Sequence, residues 1–239
     1  MNPFIGPLYA IKGFNLIRRP GLRRYVLIPL LVNIVLFSGA IWLSAAYFDA
    51  AMAQLLPQGY EWLEWLLWPL FAAAMLLVMF YTFTLVANLI CAPFNDLLAE
   101  KVERELTGSV QGEDTNLMQA LRQSPKALWN EVRKLGYFLV RAIPLLILFF
   151  IPVLNLIAPF LWIAFSASLL AKEYLDYPMA NHGFSFDQQR DILKRHRVAS
   201  LSFGGSVMVL TMIPVVNFVV MPLAVAGATA LYLERVKQK

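Results

Sequence analysis

Charged residues are scarce in this chain. Asp, Glu, Lys and Arg make up 15% of its 239 residues against 59% for hydrophobic ones, and the mean hydropathy is +0.62. A water-soluble domain carries about 25% charged and 45–50% apolar residues, so the deficit assigns the chain to the integral membrane proteins. Cysteine is nearly absent as well. The single Cys91 lies inside an apolar run, which excludes an intrachain disulfide and a cysteine-based metal site. His182 and His196 stand fourteen residues apart beside basic residues, which is no metal-ligand spacing. No GxxxxGK[ST] loop, HExxH, GxSxG or CxxC occurs. Neither an enzyme nor a cofactor nor a nucleic-acid partner is therefore expected. The mixed residues ahead of the first apolar run predict no cleaved leader.

Charge is missing altogether from four stretches. Residues 25–48, 65–94, 142–171 and 198–233 hold 24, 30, 30 and 36 residues without one Asp, Glu, Lys, Arg or His. The first is long enough for one helix across about 30 Å of hydrocarbon at 1.5 Å per residue, and the second for a tilted or protruding one. A proton-coupled carrier normally keeps an ionisable residue at membrane depth; these stretches keep none. The connection at 49–64 lacks any base. It carries Asp49, Glu61 and Glu64, whereas all 20 Lys and Arg lie elsewhere. Trp42, Tyr47, Trp62, Trp65 and Trp68 cluster around it as an aromatic belt would. By the positive-inside rule that loop is periplasmic, and both termini and the other connections are cytoplasmic.

A single crossing by 142–171 would carry the basic segment 172–197 to the wrong side. Two crossings would need about 40 apolar residues, and 30 are there. A stretch that enters, turns and returns meets both conditions. Its centre, "FIPVLNLIAPFL", holds Pro152, Asn155 and Pro159, and proline inside a helix removes a hydrogen bond. The fourth stretch repeats the pattern in "MIPVVNFVVMPLA", with Pro214, Asn217 and Pro222. The expected fold is all-α: one membrane domain over 1–239, with spans at 25–48 and at 65–94 continuing to about 107. Two re-entrant hairpins follow, each led by a basic helix, over 125–171 and 186–233. Broken backbone at membrane depth must be buried in protein or line a watery cavity. Two Pro-kinked spanning helices are the competing reading.

The connecting segments read as amphipathic helices. In "NDLLAEKVEREL", Leu98, Val102 and Leu106 recur at i, i+4, i+8, with Glu100, Glu103 and Arg104 on other faces as a local charge network. Ser124-Pro125 is an N-cap with proline at the first helical position. Beyond it Leu128, Val132, Leu135 and Leu139 form an apolar stripe, and Lys126, Asn130, Arg133, Lys134, Tyr137 and Arg141 a basic one. "SFDQ" at 185–188 fits a capping box. Residues 1–24 read as an interfacial segment.

That segment ends in "LIRRPGLRRYVLIPLLVN". Pro20 suits the first turn of span 1, which would leave the N–H groups of Gly21, Leu22 and Arg23 free at the positive end of a helix dipole. Such an end is a ready anion site, and Arg19, Arg23 and Arg24 can add planar forks suited to a tetrahedral oxyanion. Contact with lipid phosphates is the alternative role. Asn155 and Asn217 either cap the returning arms or face the ion. Asn33 and Asn88 supply amides within the spans for interhelical bonding or the pore. The Arg133–Arg141 stripe either concentrates anions at a cytoplasmic vestibule or meets headgroups, and Glu100 with Arg104 is a further candidate for the pore.

"RRPGLRRYVLIPLLVN", "EYLDYPMANHGFSF" and the two "IPVxN" segments together make the chain resemble the CysZ sulfate permease family of bacterial inner membranes. The resemblance covers nearly the whole chain. It implies sulfate uptake for cysteine synthesis by an oligomer with two spanning helices and two partly penetrating hairpins. It also implies a sulfate site at Gly21, Leu22, Arg23 and Arg24. Sulfite or related oxyanions are the neighbouring substrates. A non-transporting scaffold and an anionic-lipid-binding protein are the competing functions.

Overall fold

The computed structural model of the chain describes residues 4–55, 64–108 and 124–237. Every described element is helical: α1 Ile5–Ile17, α2 Arg23–Leu55, α3 Glu64–Thr107, α4 Ser124–Leu148, α5 Ala158–Asn181, α6 Phe186–Arg195, α7 Arg197–Thr211 and α8 Pro214–Leu231, which runs into a π-helical turn at Tyr232–Val236. The side chains of Asn33, Asn88 and Arg133 lie outside the described residues.

The chain divides into two compact units. One, residues 27–92, consists of most of α2 and most of α3. Most of its described side chains are apolar, and many are exposed, among them Leu31, Ile34, Val35, Trp42, Leu70, Leu76 and Leu77. Such a surface suits hydrocarbon, where a helix satisfies its own backbone and needs no polar coat. Among the described residues two helices are long and apolar enough to cross a membrane, Arg23–Leu43 and Pro214–Val236.

The other unit, residues 1–26 with 93–239, is built around α8. From Leu223 to Leu233 every residue of that helix and its extension is buried. Small residues make the close approach possible. A Cβ at Gly204 of α7 would overlap the carbonyl of Ala167 in α5, and one at Gly13 of α1 would overlap that of Leu223 in α8. Phe203 and Val207 of α7, Leu175 and Met179 of α5, Leu16 of α1 and Leu98 and Val102 of α3 complete the core. The stripe of Leu98 and Val102 is thus buried as its spacing implies, with Leu106 partly buried beside it.

Two pairs of helices fold back on themselves. In α4–α5 the antiparallel pairing follows from three contacts. Lys134 meets Asp176, Lys172 Nζ lies 5.6 Å from the Phe138 ring, and the rings of Phe149 and Trp162 are 6.3 Å apart. Between them the chain leaves the helix at Phe149–Ile157, all of it exposed, with one 3-10 turn at Leu154–Leu156. Val153 there has φ 71°, where a β-branched residue is an outlier. In α7–α8 the turn is only Met212–Ile213, and Pro214 opens the next helix with its missing N–H at a position that needs none. The repeated Pro-x-x-Asn motif therefore does not give a repeated structure. Pro159 stands at the start of α5, whereas Pro222 lies inside α8.

Candidate functional site

Between α1 and α2 the chain makes a tight basic turn. The helix α1 stops at Ile17, and the Arg19 N–H donates to Leu16 O at 3.0 Å. Arg19 O then accepts from both Leu22 N–H, 3.0 Å, and Arg23 N–H, 3.2 Å. Leu22, 3% exposed, anchors the turn in the core. This corrects the expectation for the backbone donors. Pro20 belongs to the turn, α2 begins at Arg23, and the amides of Leu22 and Arg23 are already engaged. The Gly21 and Arg24 N–H groups take no backbone acceptor among the described residues. No heavy atom lies within 4 Å of where a Gly21 Cβ would stand, so the approach to that backbone is open.

The guanidinium groups differ in their freedom. Arg19 Nη1 donates to Glu105 Oε1 at 2.8 Å, so this residue, expected as a ligand, already has a carboxylate from α3. Arg23 Nε donates to Arg18 O. Arg24 lies 5.1 Å from the Tyr25 ring and Arg18 5.4 Å from the Phe14 ring. Among the described residues no carboxylate pairs with Arg18, Arg23 or Arg24. Three exposed, permanently charged forks beside the start of a 33-residue helix form an electropositive surface. Guanidinium forks of this kind can donate in pairs to the oxygens of an oxyanion.

Glu100 and Glu103, expected on other faces than the apolar stripe as part of a local charge network, are buried, 6% and 3% exposed. Burial of a carboxylate demands a partner, and the fold supplies one from elsewhere in the chain. His182 Nε2 lies 3.0 Å and Lys237 Nζ 3.8 Å from Glu103 Oε1, while Glu100 lies 3.5 Å from Arg104. Sequence reasoning missed His182 and Lys237 as partners, and also Glu234, which takes Lys12 and accepts from the Tyr9 hydroxyl at 3.0 Å. No local pattern marks these pairs, since 222 residues separate Lys12 from Glu234.

Neither Asn155 nor Asn217 caps a helix. Asn155 lies in the 3-10 turn ahead of α5 and Asn217 inside the first turn of α8, each past or short of the capping position; both are exposed. The basic stripe of α4 is also turned differently from expectation. Lys134 pairs with Asp176, and the Tyr137 ring packs edge-on to Phe186 at 5.2 Å, so this face lies against α5 and α6. Leu135 and Leu139 of the apolar stripe are the exposed ones. Arg141 remains exposed above Tyr137.

Residues 9–222 match the family described as "Sulfate transporter CysZ/Etoposide-induced protein 2.4". The chain belongs to this family. Relatives named "Sulfate transporter CysZ" include one from Pectobacterium atrosepticum, 44% identical over 234 residues, covering 96% of this chain and 85% of the relative. One from Pseudomonas syringae pv. tomato is 46% identical over 231 residues, covering 95% and 91%. Another, from Salmonella typhimurium, is 44% identical over 236 residues, covering 97% and 93%. The Arg18–Arg24 turn lies within the matched segment.

Proposed function

We propose that the chain is a sulfate permease of the bacterial inner membrane that serves cysteine biosynthesis. The observation that carries this reading is the turn itself. Arg18, Arg23 and Arg24, with no carboxylate partner among the described residues, flank an open Gly21 in the turn at the N-terminal end of a helix apolar enough to cross a membrane. The names of the relatives supply the ion that such a surface would take.

Sulfate reaches the turn from the cytoplasmic or the pore side, and Arg23 and Arg24 hold it by charge-assisted bonds while the Gly21 and Arg24 amides complete its oxygen shell. The two hairpins enter the membrane only partway. The apolar segment of α5, Ala158–Ala171, is 14 residues long, about 21 Å at 1.5 Å per residue and short of the roughly 30 Å core. That of α7, Val198–Thr211, has the same length, so α7 sets the depth of the second pair even though its partner Pro214–Val236 is itself long enough to cross. The N-terminal ends of α5 and α8 then point to mid-membrane, where helix ends favour an anion. Passage is passive, several chains assemble into the working oligomer, and the termini face the cytoplasm.

Replacement of both Arg23 and Arg24 by Ala removes charge-assisted bonds worth about 1.5–3 kcal/mol each. Calorimetric titration of the purified variant is expected to give at least tenfold weaker sulfate binding; wild-type affinity would remove the assignment. Labelled sulfate should enter liposomes carrying the wild-type chain without a proton or sodium gradient. A requirement for either gradient contradicts passive passage, and no flux at all leaves a scaffold or a lipid-binding protein.

A further inference from the structure

The Arg18–Arg24 turn does not hold all of the uncompensated positive charge. Where α4, α5 and α6 meet, basic side chains converge on one ring. The guanidinium carbon of Arg141 lies 3.5 Å from the centroid of Tyr137, Lys172 Nζ 5.3 Å and the guanidinium carbon of Arg190 5.8 Å. The ring is held in place by Phe186 of α6, edge-on at 5.2 Å.

The acids nearby do not balance this charge. Asp176 is taken by Lys134, and Asp191 by Lys194 at 3.0 Å. Arg190 has only looser approaches, 3.6 Å to Asp187 and 3.8 Å to Asp191, and its buried Nε finds no hydrogen-bond acceptor. Arg141 and Lys172 have no carboxylate within ion-pair distance among the described residues. Burial, and then the charges of Arg141, Arg190 and Lys194, push the Lys172 ammonium below its ordinary pKa. An assembly of cations that weakens its own charge gains by taking an anion.

Position narrows the choice of anion. Arg141 immediately precedes the uncharged stretch 142–171, and Lys172 immediately follows it. The cluster therefore stands at the level where both arms of the α4–α5 hairpin become apolar. A guanidinium stacked on Tyr137 spends its face on the ring and keeps its in-plane N–H groups for a planar, forked contact. One of these goes to Tyr137 O at 3.2 Å.

We infer that Arg141, Lys172 and Arg190, stacked around Tyr137, form a second oxyanion site that holds one tetrahedral phosphate or sulfate group. The group belongs either to the headgroup of an anionic phospholipid at that level or to a free sulfate ion. The site needs no assumption about transport and shares no residue with the Arg18–Arg24 turn.

The test reads Lys172 directly. Lysines of the purified full chain are reductively methylated with carbon-13, which keeps their charge, and the Lys172 resonance is assigned by its loss in Lys172→Arg. The protein is titrated with dihexanoyl phosphatidylglycerol and, separately, with sodium sulfate, each against sodium chloride of equal ionic strength. A saturable Lys172 shift and a raised Lys172 pKa are expected, at least tenfold weaker in affinity in Arg141→Gln and kept in Arg23→Ala/Arg24→Ala. Arg141→Lys, which retains charge without the planar fork, should fall between, and it serves if Arg141→Gln lowers the melting temperature. A response to the lipid alone assigns the headgroup, a response to sulfate alone the free ion, and a response to both a site that reads the shared group. The inference is overturned if neither probe moves Lys172. It is equally overturned if neither Arg141 variant changes either affinity, or if the Arg23→Ala/Arg24→Ala change abolishes the response.

Discussion

The α4–α5 and α7–α8 hairpins start from nearly the same words, "IPVLNLIAPF" and "IPVVNFVVMPL", and end in opposite circumstances. In the first, the nine residues Phe149–Ile157, which hold only a 3-10 turn, are all exposed. In the second, two residues make the turn and the following helix disappears into a core shared with α1, α5 and α7. The proline-asparagine motif stops a helix in both places. What the chain does next depends on neighbours, and those are set by small residues elsewhere. Gly13 and Gly227 let α1 and α8 approach closely and Gly204 lets α7 close on α5, whereas the tip of α4–α5 has no such packing among the described residues. One hairpin is thus a structural centre. The other leaves the apolar side chains of its tip uncovered by the described residues.

The contrast gives its largest effect in a matched pair of substitutions. Phe203→Ala removes a fully buried ring from α7 and is expected to cost about 3–5 kcal/mol; Phe150→Ala, at an exposed position of the first tip, should stay within about 0.5 kcal/mol. Thermal unfolding of both variants in detergent measures the difference. Equal losses would mean that the first tip is packed as firmly as the second hairpin.

A smaller loss, about 1–3 kcal/mol, is expected for Gly204→Leu, whose side chain cannot fit against the Ala167 carbonyl. Gly205→Leu, one residue on, meets open space and should be close to neutral by the same melting assay. Val153→Gly is expected to act in the opposite direction. It relieves a positive φ of 71° combined with ψ −46°, close to the rare and strained γ-turn geometry and costing about 1–3 kcal/mol, offset in part by the greater freedom of glycine in the unfolded chain. A small rise in melting temperature is therefore expected, and a fall would show that Val153 makes contacts that outweigh its backbone. The smallest effect belongs to Asn155→Ala, whose side chain caps no helix. Stability should not change, and any drop in sulfate flux would then report the ion itself.

Much of the fold was legible because it follows from local rules. The all-helical class comes from uncharged stretches of helical length, the stop after Leu148 from Pro152, and the start of α6 from Ser185 and Gln188. Their reciprocal bonds, 3.5 Å to Gln188 N and 2.8 Å from Ser185 N, form the expected capping box. What failed was anything that depended on the far side of the molecule. Glu103 reads as part of a purely local charge network because nothing near it in sequence announces His182 or Lys237. The α4 stripe reads as an anion vestibule or a headgroup contact, because Asp176 and Phe186, which engage it, lie beyond a helix break. At the arginine turn, composition identified the cations, but the hydrogen bonds of Arg19 O decide which amides remain, and Glu105 decides which guanidinium is spent.

The central claim is that each hairpin dips into the bilayer and returns, leaving residues 172–197 on the same side as the N-terminal segment. Cysteine labelling tests it most directly. With Cys91 replaced by Ser, single cysteines at exposed Asn15 and exposed Lys194 are challenged with an impermeant maleimide in right-side-out and inside-out vesicles. The account expects both positions to react only in inside-out vesicles. Reaction of Lys194→Cys in right-side-out vesicles, with Asn15→Cys protected there, would contradict it.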